Sequence, residues 1–212
     1  MYRIETHLHT TYISRCGWLG AEAIMKYYTA CDYAEIDLTT PGSKTQAFLQ
    51  GYHRLKKVSE KYNIRVYAGA ELRFDESNND YLLYGFHDAL LADPDRVMRE
   101  GLAAFAPQYR ADGALLVQAH PFRKKCTPAP AEYLDGIEVL NLNPRHDSHN
   151  DLALAYAREH HLIMTAGSDC HRPGDQGTTG ILSDTLPEDS FGLADLLRSG
   201  DYTIIRPECT ED

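Results

Sequence analysis

The chain has 212 residues, 43% hydrophobic and 25% charged, a balance that suits a soluble globular protein with a buried core. A formal charge of -10 argues against a non-specific grip on nucleic acid or on an anionic membrane, and leaves room for a small phosphorylated molecule in a locally basic pocket. No apolar run approaches the roughly 18 residues of a membrane helix, the N-terminus lacks the apolar stretch of a signal peptide, and the five scattered cysteines suit reduced thiols, so a cytoplasmic protein is expected.

Tyr2, Ile4, Thr6 and Leu8 alternate with Arg3, Glu5, His7 and His9, which is strand patterning. Residues two apart in a strand share a face, so His7 and His9 project together and form half of a transition-metal site. A loop over 10–20 leads to a helix over 21–31 and a strand over 34–39, which breaks at Thr40-Pro41-Gly42. Ser43 suits the cap of a helix whose Phe48, Tyr52, Leu55 and Val58 follow helical spacing. The strand over 65–72 delivers Glu71 near its C-terminal end. A polar turn over 75–80 precedes the strand 81–86 and His87.

Asp93-Pro94 opens a helix, and the apolar run 114–117 continues to His120-Pro121. Strands over 136–142 and 162–166 flank a helix over 150–161, and the second of them breaks at Gly167-Ser168-Asp169-Cys170-His171. A helix over 188–198 and a short strand over 202–205 end the series. Strands alternating with helices imply parallel strands in one α/β domain, either an open sheet or a barrel.

His7, His9, Glu71, His87, His120, Asp169 and His171 all fall at or just past the C-terminal ends of these strands. In a parallel barrel those ends share one face, so residues distant in sequence converge there. Imidazole and carboxylate donors suit zinc, manganese or iron, and the lack of paired cysteines argues against a structural zinc site. Arg123 and Arg145 also follow strand ends and are candidates for gripping phosphate. Arg15 is a third such cation. His146 and His149 read as helix-entry or surface residues, and His160 and His161 as the end of a helix.

His7-Leu8-His9-Thr10, Gly69-Ala70-Glu71, Gln118-Ala119-His120-Pro121 and Gly167-Ser168-Asp169-Cys170-His171, in that order, resemble the polymerase and histidinol phosphatase (PHP) domain family. The resemblance covers nearly the whole chain. It implies a distorted barrel of seven β/α units with two or three metals at the strand C-termini. By motif, His7, His9, Glu71 and Asp169 would hold the first metal. Glu71 would bridge to a second, completed by His120 with His87 as a further ligand, and His171 would belong to a third.

Two departures stand out: Glu5 where the family usually has Asp, and Thr39-Thr40-Pro41 where it has Thr-Asp-His. The first loop, Ser14-Arg15-Cys16-Gly17, also lacks the expected third-metal ligand. Two metals are therefore expected. The leading reading is a phosphatase or phosphodiesterase acting on a small phosphorylated substrate through a metal-activated hydroxide. In it Asp169, His171, Arg123 and Arg145 serve catalysis, and His171 is an added ligand or a proton donor to the leaving group. Its rivals are an amidohydrolase-like enzyme cleaving C–N or ester bonds, and a barrel kept for binding or regulation.

Overall fold

The structure is a computed structural model that describes residues 1–10, 17–30, 33–39 and 49–207. Ser14, Arg15, Cys16, Thr40, Pro41 and Ser43, on which the third-metal and capping expectations rest, lie outside those residues. The strands are β1 (Tyr2–Ile4), β2 (Tyr33–Thr39), β3 (Val66–Leu72), β4 (Tyr81–Tyr84), β5 (Leu115–Gln118), β6 (Gly136–Asn141), β7 (Ile163–Gly167), β8 (Gly180–Ser183) and β9 (Thr203–Ile205). They form one α/β sheet in the order β7-β6-β5-β4-β3-β2-β1-β8-β9. The helices that alternate with them are Ala21–Ala30, Gln50–Ser59, Pro94–Glu100, Leu102–Asp112, Asn150–Glu159 and Ser190–Ser199.

The expected run of parallel strands is corrected at β4 and β8. β1, β2 and β3 pair in parallel, as do β5, β6 and β7. β4 is antiparallel to both β3 and β5, and β8 to both β1 and β9. The cause is connection length. A parallel crossover needs a dozen or more residues, whereas the short polar link from Leu72 to Tyr81 reaches only far enough to fold β4 back on β3. The N-terminal end of β4 therefore lies at the rim formed by the C-terminal ends of its neighbours, with Tyr81 opposite both Leu72 and Gln118.

Both faces of the sheet are covered, which removes the polar alternation a half-exposed strand would show. Along β4, Tyr81 and Leu83 enter one cluster with Phe74, Phe105 and Tyr109. Leu82 and Tyr84 enter another, with Ile4, Val117 and Leu193. A third cluster joins Leu8, Leu19, Ile24, Met25, Leu55 and Cys170. The segment after β1 packs along the segment after β7: Thr6 Oγ1 donates to the Ala166 carbonyl at 2.6 Å and Leu8 forms a parallel bridge with Cys170. β1 and β7 are far apart in the sheet order, so this contact curls the sheet and brings its forward rims together.

Gly167 permits the approach. A Cβ there would fall far inside contact distance of His7 Cβ and 2.9 Å from Glu138 Oε1.

Candidate metal centre

Four strand ends supply the side chains that meet at this rim. The chain past β1 brings His7 and His9, β3 brings Glu71, the end of β5 leads to His120, and the end of β7 leads to Asp169. All five are buried. His7, His9 and Asp169 can each offer a ligand atom within 4.8 Å of the others, as can His7, Glu71 and His120. The Nε2 atoms of His7 and His9 are 3.2 Å apart. Asp169 Oδ1 lies 3.3 Å from the first and 3.4 Å from the second. Glu71 divides its oxygens, Oε1 lying 3.4 Å from His7 and 3.8 Å from His120, and Oε2 lying 3.4 Å from His9. His120 and Asp169 adopt positive φ angles of 30° and 49°, a conformation that costs a non-glycine residue energy and recurs at functional sites.

Buried partners aim these groups. Glu138, fully buried on β6, accepts from His7 Nδ1 at 2.8 Å through Oε1. Its Oε2 accepts from the His120 backbone N–H at 3.0 Å and from Asn141 Nδ2 at 2.8 Å. A carboxylate that only accepts places the imidazole proton on Nδ1 and turns the Nε2 lone pair of His7 inward. Glu5 Oε1 accepts the backbone N–H groups of His7 and Ser168, tying the first motif to the last. Arg123 Nη2 donates to Asp169 Oδ2 at 2.8 Å, so that Oδ1 is the oxygen that faces the imidazoles.

The electrostatics follow from packing acids and imidazoles out of water. Burial pushes the His120 imidazole down to about 4, with the Arg123 cation adding to it, so this ring is neutral. Burial likewise lowers His9. Burial also opposes charge on His7, but Glu138 and Asp169 outweigh it and raise that ring well above the ordinary imidazole range. Despite burial, His9 and His7 hold Glu71 down at about 2, and His7 and its neighbours hold Asp169 well below the usual carboxylate range. Ring nitrogens and carboxylate oxygens crowded this closely need positive charge among them, and this nitrogen–oxygen donor set fits a divalent metal ion.

The other expected residues divide. His171 joins the rim: its ring stacks on His9 at 4.2 Å between centroids, and its Nδ1 donates to the Asp169 carbonyl at 2.8 Å. Arg145 forms a two-pronged ion pair with Asp175, at 2.8 and 2.7 Å, rather than a vacant phosphate grip. His87 is a correction. It follows the C-terminal end of β4, and because β4 runs antiparallel, that end points away from the rim. Its side chain is exposed, with Nδ1 3.2 Å from Asp112 and the ring against Phe191.

Asp80, which the same reversal carries to the rim, was missed. Its Oδ2 lies 3.8 Å from His120 Nε2, and Arg73 grips both its oxygens at 2.7 and 2.6 Å. Burial and the Glu71 charge push the Asp80 carboxyl up to about 7. Glu138 was missed as well, although an acid inside the apolar strand Gly136–Asn141 was a visible signal.

A family model described as PHP-associated matches residues 147–199. No curated protein matches the chain in sequence. Among solved structures, a two-domain protein from Bacteroides vulgatus containing a PHP-like metal-dependent phosphoesterase is 14% identical. It superposes with a TM-score of 0.69 over 97% of this chain and 64% of its own, so this chain spans under two thirds of that protein. An amidohydrolase from Chromobacterium violaceum is 15% identical, with a TM-score of 0.63 over 99% of this chain and 100% of its own. A lesion-specific endonuclease from Pyrococcus furiosus is 14% identical, with a TM-score of 0.66 over 96% of this chain and 57% of its own. These findings support the resemblance to the PHP family and, at such identities, speak to the fold. Among the described residues no helix is long and apolar enough to cross a membrane.

Proposed function

We propose that the chain is a metal-dependent phosphoesterase, built on a distorted barrel of the PHP type, that hydrolyses a small phosphorylated molecule. The observation that carries the reading is the convergence of His7, His9, Glu71, His120 and Asp169 from four strand ends, with groups of their ligand atoms within 4.8 Å of one another. His7, His9, Glu71 and Asp169 would hold one divalent ion. Glu71, His120 and Asp80 would hold a second, Asp80 standing where His87 was expected. Such ions, when bound, polarise a phosphoryl oxygen and bring the pKa of water towards neutrality.

The chain's own groups supply orientation and charge. Glu138 keeps the His7 proton on Nδ1, and Arg123 fixes which oxygen Asp169 presents. The Nδ1 of His171 is committed to a backbone carbonyl, so proton delivery to a leaving group falls to its Nε2. Of Arg73, Arg123 and Arg145, Arg73 has the most exposed side chain, 60% against 28% for Arg145 and 13% for Arg123. Asp80 holds its guanidinium in a fixed plane through Nε and Nη2, so Nη1 is the nitrogen it would turn to a phosphate oxygen.

The test is metal content of protein purified without chelator, together with phosphate release in added manganese, zinc or iron. About two metals per chain and phosphate release are expected, with both reduced in His120→Ala. One observation favours a second reading, hydrolysis of a C–N or ester bond: Arg73, Arg123 and Arg145 are all bound to carboxylates. Full metal content with no phosphate release, but with turnover of an amide or lactone, would establish that reading instead.

A further inference from the structure

The sole tryptophan of the chain, Trp18, faces solvent with 64% of its surface exposed. Its neighbours do not share that exposure: Gly17 and Leu19 are buried, and Leu19 packs with Leu8 and Ile24. Residues 17–19 are therefore anchored on both sides of the indole. The Trp18 backbone N–H donates at 2.7 Å to the carbonyl of His171, the residue whose ring stacks on His9.

The guanidinium of Arg172 lies over the indole, 4.5 Å from the ring centroid. That residue is braced in turn, because Asp175 Oδ2 accepts the backbone N–H groups of both His171 and Arg172 while Asp175 pairs with Arg145. A large apolar ring held out in water, with a cation on one face and a buried residue on each side of it in the chain, gains little for the folded state where it stands. It is well built to receive a flat ring.

We infer that Trp18, backed by Arg172, is a stacking platform for the base of a nucleoside monophosphate whose phosphate sits at the metal centre. This rests on the phosphoesterase reading and narrows its substrate class. A base has a π-face that indole accepts whatever its sequence identity, and such stacking is strong enough to decide between substrates. The net charge of -10 favours a single nucleotide over a polynucleotide, whose many phosphates it would repel.

Because the chain has one tryptophan, its fluorescence reports this site alone. The manganese-loaded full chain is mixed rapidly with adenosine monophosphate or with ribose phosphate, and initial hydrolysis rates are measured for both. Saturable quenching by the nucleotide and none by ribose phosphate is expected. Trp18→Ala should lower the ratio of kcat/KM for the nucleotide to that for ribose phosphate by about tenfold, and Trp18→Phe should restore most of it. Equal quenching by both ligands, quenching by neither, or an unchanged ratio would overturn the inference. If neither compound is hydrolysed, the phosphoesterase reading fails by itself, and the fluorescence titration still decides whether the platform binds a base.

Discussion

Replacing Glu138 by Gln is the sharpest test of how this centre is aimed. The carboxylate accepts three hydrogen bonds, one through Oε1 from His7 Nδ1 and two through Oε2 from the His120 N–H and Asn141 Nδ2. An amide of the same shape has one accepting end and one donating end. If its NH2 faces His7, the imidazole must move its proton to Nε2, and the inward lone pair is lost. If it faces the other way, it confronts two donors. Asn141 is not able to turn its amide to help, because its Oδ1 already accepts from Arg123, from Ser148 and from the Asn143 N–H.

The second arrangement leaves a buried donor unsatisfied, at about 1–3 kcal/mol, and the first gives up the inward lone pair of His7. A partner of this kind behind a metal-bound His is typically worth 10–100-fold in affinity. Calorimetric titration of manganese or zinc into Glu138→Gln should therefore show affinity lower by about that factor, with far-UV circular dichroism unchanged. A variant that binds metal as tightly as the parent would refute the claim that Glu138 sets the tautomer of His7.

Other perturbations separate the residues that share the rim from those that do not. Gly167→Ala drives a methyl into His7 Cβ, an overpacking that should destabilise the fold by about 1–3 kcal/mol and lower the melting temperature by several degrees while weakening metal uptake. His87→Ala should leave metal stoichiometry unchanged by elemental analysis, whereas Asp80→Ala should lose the more weakly held ion; the reverse pattern would return the second ion to His87. Saturating the chelated protein with metal at about a hundred times its dissociation constant should add about 2.7 kcal/mol of stability. Scanning calorimetry with and without chelator reads this directly, and coincident melting curves would mean that no metal binds the folded chain.

Why some of this centre was legible in the sequence and some was not comes down to strand direction and burial. His7, His9, Glu71, His120 and Asp169 each follow or end a strand that runs forward, so a reading by strand ends gathers them without knowing the sheet order. His87 fails under the same rule because its strand runs backward. The short polar turn before Tyr81 held that information: it is long enough for a hairpin and too short for a crossover. Taking the hairpin seriously would have exchanged His87 for Asp80.

β8 escaped notice because Gly180–Ser183 has four residues and no alternation, being buried between β1 and β9. The ion pairs that occupy Arg123 and Arg145 join residues 46 and 30 positions apart, and nothing local announces them. Glu138 is the instructive case. An acid at the middle of a strand buried along its whole length has to find donors inside the protein, since an unpaired charge there is not tolerated. The histidines of the other strand ends are the donors a barrel would bring to it. Residues that touch a metal can be sought by type and spacing. The groups that aim them are found by asking which buried charges have no partner nearby in the sequence, and here that question leads to Glu138.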